Sequence, residues 1–144
     1  MKTFAFAAAM ALVASTAAAQ TPLELVQSAY KEDGAVIEPA KLPGYYAADL
    51  AAALAEDQKE EDGGVGFDWL YGAQDFEITD LAFAEEAVPP DRSQVQVRFK
   101  NFGEPKEIYW LLCRRANGDW RIDNVMTMEW GLREAVGLGP EGEC

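Results

Sequence analysis

Apolar residues along this chain follow three successive patterns, and each predicts a different element. An unbroken run from Phe4 to Ala14 comes first, with Lys2 before it and the small residues Ser15 to Ala19 after it. Helical spacing follows. Leu23, Val26 and Tyr30 recur behind the start signal Thr21-Pro22-Leu23-Glu24, in which Thr caps, Pro takes the first helical position and Glu reaches back to the cap amide. Asp33-Gly34 is the expected stop. A second helix is predicted from near Pro43 to about Glu60, with Tyr46, Leu50 and Leu54 on one stripe among alanines. Glu60-Glu61-Asp62-Gly63-Gly64 breaks it, and acids at that end oppose the helix dipole, so fraying is expected there.

From Asp75 onward the period becomes two. Phe76 and Ile78 share one face, then Leu81 and Phe83 continue the apolar series out of phase, which predicts a bulge near Thr79-Asp80. Pro89-Pro90-Asp91 is a turn. Val95, Val97 and Phe99 alternate with Gln94, Gln96, Arg98 and Lys100, a strand with one buried face and one wet face. Another turn spans Asn101 to Pro105. The last two strands meet at Ala116-Asn117-Gly118-Asp119, where Asn-Gly predicts a two-residue hairpin with positive φ at both central positions. That turn sets Arg114 opposite Arg121, Cys113 opposite Ile122 and Leu112 opposite Asp123. Tyr109, Leu111, Cys113, Trp120 and Ile122 then form the expected core face. Ile108, Trp110, Leu112, Arg114, Arg121, Asp123 and Val125 form the other. A short helix, about Trp130 to Val136, precedes a glycine-rich tail.

Helices followed by a four-strand meander predict an α+β fold, with N-terminal helices packed on a curved antiparallel sheet in a cone-like shape. The hairpin Tyr109-Trp110-Leu111-Leu112 with Gly118-Asp119-Trp120-Arg121-Ile122-Asp123-Asn124-Val125 resembles the nuclear transport factor 2-like superfamily of cone-shaped folds. Phe67-Asp68 to Gln74-Asp75, the strand through Val95, Val97 and Phe99, and the Trp120-Arg121-Ile122-Asp123 end are similar to a bacterial envelope family of unknown function. The likeness runs from about Tyr45 to Val136. It implies a fold and an envelope location, and no particular activity.

The first apolar run changes the picture of compartment. Too short for the ~20 residues that cross a bilayer, flanked by Lys2 and ending in Ala17-Ala18-Ala19, it reads as a signal peptide, residues 1–19, cleaved after Ala19. Residues 20–144 then form a single domain, periplasmic or secreted, with no membrane span after cleavage. Two cysteines, Cys113 and Cys144, are an even count in an oxidising compartment and favour a disulfide; the alternative is a buried and an exposed free thiol. Charge is lopsided. The net charge is −13; residues 20–91 hold 17 acids and three bases, whereas residues 92–144 hold eight of each. That argues against nucleic acid and anionic membranes as partners.

Histidine is absent, which removes Ser-His and Cys-His catalysis and the usual zinc ligands. Asp68, Tyr71 and Asp75 lie between the second helix and the first long strand, where the mouth of a cone would be. A carboxylate held against Trp69 and Phe67 could act as a proton-transfer base with Tyr71 as donor; the structural alternative is that Asp68 caps a turn and Asp75 starts a strand. Arg114, Arg121 and Asp123 beside Trp110 read either as an anion-binding floor or as a salt-bridged outer face. Glu56-Asp57 and Glu60-Glu61-Asp62 lack the spacing of a calcium loop. Gly63-Gly64-Val65-Gly66 lacks the lysine of a phosphate loop. No metal or cofactor is expected. Three functions remain. The first is a non-catalytic binding or protein-interaction domain whose concave sheet holds a small ligand or a segment of another envelope protein. The others are a cone-fold isomerase or lyase using the Asp/Tyr pocket, and an immunity or inhibitor protein whose acidic half mimics a substrate.

Overall fold

The computed structural model describes residues 19–32, 38–60, 65–142 and 144. The first helix, α1 (Pro22–Glu32), opens on a capping box: Glu24 N–H donates to Thr21 Oγ1 at 3.2 Å, and Thr21 N–H donates to Glu24 Oε2 at 2.9 Å. Leu25, Val26, Ala29 and Tyr30 turn inward. The expected signal peptide up to residue 18, the expected stop at Asp33-Gly34 and the expected break over Glu61 to Gly64 lie outside the described residues.

Where the spacing predicts one helix from Pro43 to Glu60, there are two, α2 (Leu42–Tyr45) and α3 (Ala48–Asp57). Between them Tyr46 is extended, with φ −105° and ψ 152°, and the Ala47 N–H donates to the Ile122 carbonyl at 2.8 Å. A tertiary hydrogen bond to a strand overrides the helix preference of an alanine-rich segment. Tyr46, Leu50 and Leu54 are nevertheless fully buried, so the stripe reports burial correctly and continuity wrongly.

Four strands, β1 (Ile78–Val88), β2 (Arg92–Asn101), β3 (Glu104–Arg114) and β4 (Trp120–Met126), form an antiparallel meander in that order. The bulge in β1 is where the phase change places it, between Thr79 and Ala82, with Asp80 at φ 55°. It lets both Ile78 and Phe83 turn toward the helices although their numbers differ in parity. The β2–β3 turn is tight: Phe102 and Gly103 both have positive φ, at 48° and 80°, and Asn101 pairs with Glu104. This turn sets Val95 opposite Trp110 and Val97 opposite Ile108.

The β3–β4 hairpin departs from expectation by one residue. Gly118 N–H donates to the Arg115 carbonyl and Arg115 N–H to the Asp119 carbonyl, and only Gly118 has positive φ, at 93°. Asn-Gly thus closes a three-residue loop in which glycine follows a tight turn, not a two-residue one. The expected pairings are corrected accordingly: Arg114 faces Trp120, Cys113 faces Arg121 and Leu112 faces Ile122. Beyond an irregularity at Asp123 the register becomes the expected one, with Leu111 opposite Asn124. One residue of slip puts Ile122 on the face of Leu112 and not of Cys113, and the pairing with β2 makes that face, the expected outer one, the core. Ile108, Trp110, Leu112, Ile122 and Val125 are the fully buried set, joined by Val95, Val97 and Phe99 of β2, and α1, α2 and α3 pack on them. A final helix, α4 (Leu132–Ala135), is shorter than the predicted Trp130 to Val136.

Candidate functional site

The concave face is filled by its own aromatic side chains. Tyr30 meets Tyr71, Phe83 and Trp110 edge to face at ring separations of 5.4–5.6 Å. Its hydroxyl donates to the Leu70 carbonyl at 2.5 Å and accepts from Trp110 Nε1 at 3.2 Å. Trp69 Nε1 donates to the Tyr46 hydroxyl at 2.8 Å. Burial, opposed by the hydrogen bonds that the Trp110 and Trp69 indoles donate, drives the phenols of Tyr30 and Tyr46 far above their ordinary value, so both stay neutral. Among the described residues no buried side-chain nitrogen or oxygen lacks a hydrogen-bond partner.

The three candidates for acid–base chemistry sit at one end of this core. Asp68 and Ala73 bridge across a tight loop, and Asp68 Oδ1 accepts from the Leu70 N–H at 2.9 Å, which is turn capping. Asp68 and Tyr71 are half-buried, whereas Asp75 is exposed. Tyr71 packs between Phe76, tilted at 4.7 Å, and Phe99, edge to face at 5.7 Å. Gly72, at φ 65°, supports Trp130: a Cβ there would come within 3.1 Å of its ring. Beside them runs an open groove of about 340 Å³ lined by Tyr71, Lys106, Thr127, Met128 and Trp130, with Met128 98% exposed.

The second candidate cluster is dispersed. Trp110 lies in the core and not on a ligand-facing surface, and Arg114 is exposed. Arg121 donates through Nε to the Pro43 carbonyl at 3.1 Å and through Nη1 to the Trp120 carbonyl at 2.7 Å, so it fastens α2 to β4. Desolvation, together with nearby Arg115, lowers its pKa. Asp123 has different partners. Its carboxylate is buried between Arg92 Nη1 at 2.8 Å and Arg133 Nη1 at 3.3 Å.

Arg133, which the sequence reading did not single out, is the centre of this network. Only 2% of its side chain is exposed, and it reaches Asp49 of α3 at 2.6 Å, Asp123 of β4, and the Gly139 carbonyl at 2.6 Å. Its hydrogen bond holds the Asp49 carboxyl below the usual range despite partial burial. The tail is fastened twice more. Arg92 Nη2 donates to the Gly142 carbonyl at 3.2 Å, and Cys113 and Cys144 form the expected disulfide. An arginine beside Leu132 in the short last helix was the available signal; its partners, 84 positions away for Asp49, left no local trace. The network joins two arginines to two aspartates and leaves no uncompensated charge, which suits a clamp rather than a catalyst.

The opposite margin of the sheet is bare. β1 pairs only with β2, and no backbone hydrogen bond to the far side of β1 exists among the described residues. Nine of its eleven positions are exposed, Ile78 and Phe83 are half-buried, and Leu81 and Val88 are 40% and 48% exposed. Among the described residues no cluster of acids and cysteines could hold a metal ion, and no helix is long and apolar enough to cross a membrane. Comparison with protein-family models, with curated proteins and with solved structures found no match to this chain.

Proposed function

We propose that this chain is an exported, non-catalytic interaction domain with a nuclear transport factor 2-like architecture, working in the periplasm or outside the cell. The observation that carries the reading is the filled concave face. Tyr30, Tyr46, Trp69 and Trp110 occupy the space in which a cone-shaped enzyme or carrier would hold a small molecule, and their polar atoms are already paired. Asp68 and Tyr71 are engaged in a turn and an aromatic cluster, and Asp75 is exposed. Recognition is therefore assigned to the outside of the sheet. The disulfide and the apolar leader support an extracytoplasmic setting.

Affinity capture of the protein from its own envelope extract, followed by mass spectrometry of everything retained, tests this. A reproducible protein partner is the expected result. Retention of one small molecule and no protein overturns it in favour of the pocket or isomerase readings.

A further inference from the structure

We propose that the free edge of β1 accepts an extended, cationic segment of another protein as an added strand; the inference rests on the interaction-domain reading. Three features of β1 lead there. The backbone groups on its far side have no partner among the described residues along the whole strand, so an incoming chain meets a ready ladder of donors and acceptors. Its straight portion is bounded, by the bulge that ends at Ala82 and by Pro89-Pro90, where proline offers no N–H; an added strand therefore lies along Ala82 to Val88. Within that span the strand shows a pattern of its own.

Phe83, Glu85 and Ala87 pair with Val97, Val95 and Ser93, and so share the helix-facing side; Ala82, Ala84, Glu86 and Val88 share the outer side. Glu85 and Glu86 thus put one carboxylate on each side of the same edge, with Phe83 before them and Val88 after them. The neighbouring cations are already taken: Lys100 by Asp80, Arg98 by Glu107 and Arg92 by Asp123. Glu85 accepts only from the Ser93 hydroxyl at 3.2 Å, and Glu86 has no cation partner among the described residues. A strand that answers this pattern carries two adjacent basic residues, one for each face, flanked by β-branched or aromatic side chains. The same carboxylates discriminate against a second copy, because joining two β1 edges crowds four glutamates into one short ribbon on a chain of net charge −13.

The test uses the purified protein and a synthetic peptide that alternates valine and threonine around a central Lys-Arg pair. Three companions are needed: the same peptide with a central Glu-Glu pair, the basic peptide N-methylated on alternate backbone nitrogens, and the E85K/E86K protein. The basic peptide is expected to bind and to slow amide exchange along residues 82–88. N-methylation or the E85K/E86K substitution weakens it by about tenfold or more, and the substituted protein prefers the Glu-Glu peptide. Failure of the basic peptide to bind, equal binding after N-methylation, protection elsewhere, or a protein dimer in sedimentation that E85K/E86K abolishes would each overturn the proposal. An envelope partner that binds E85K/E86K protein as well as the native one removes the β1 edge alone and leaves the interaction reading standing.

Discussion

The two margins of the sheet carry opposite solutions to the same problem. Beside β4, the Ala47 N–H bonds to Ile122, Arg121 reaches the Pro43 carbonyl, and Arg133 gathers Asp49, Asp123 and the tail into one buried network. Beside β1 no described residue pairs with the backbone, and the devices there that discourage uncontrolled pairing are the bulge, the prolines and two glutamates. The contrast separates the part of the molecule that holds the fold together from the part left free to meet something else. Residues spent on closing one edge are unavailable for recognition, and residues kept on the open edge contribute little to stability.

Substitutions should break this contrast unequally. The largest loss is expected for Arg133→Ala, which strands the buried Asp123 with only the half-exposed Arg92: about 3 to 5 kcal/mol in urea unfolding. Cys144→Ser frees the tail by opening a loop of 31 positions and is expected to cost about 3 to 4 kcal/mol in the same measurement. Acid sensitivity comes next. The folded pKa of Asp49 lies below its ordinary 3.8, so its contribution is complete above that pH and disappears as pH falls through the lowered value. Because that carboxylate is partly exposed, the contribution is about 1 kcal/mol or less, and Asp49→Asn should flatten the pH dependence of stability below about pH 4. The smallest effect belongs to the open edge: E85K/E86K should shift the unfolding free energy by no more than about 0.5 kcal/mol. A loss as large as that of Arg133→Ala would mean that β1 is structural and would erase the distinction between the margins.

Local signals made much of this fold legible. The capping box at Thr21, the alternation of β2 and the phase change at Thr79-Asp80 each involve residues within a few positions of one another, and each has its expected form. Asn117-Gly118 shows where such reading stops. The dipeptide serves two loop lengths, and the choice between them decided which residues of β4 share a face with Leu112, Cys113 and Arg114. The competing signal was present in β2: pairing Val97 with Ile108 across the Phe102-Gly103 turn places Trp110 inward without reference to the later hairpin. The candidate site was less legible. Arg114, Arg121 and Asp123 were grouped through that hairpin register, so the grouping dissolved with it, and Arg133 depends on α3, β4 and the tail at once.

The distance along the chain that Arg133 spans has a further meaning for the order of assembly. A meander of neighbouring strands can zip from hairpins with little loop entropy to overcome, whereas the contact between Arg133 and Asp49 closes across 84 positions. Contacts made that late stabilise the finished state more than the barrier leading to it, so the clamp acts chiefly as a brake on unravelling and sets the lifetime of the folded chain.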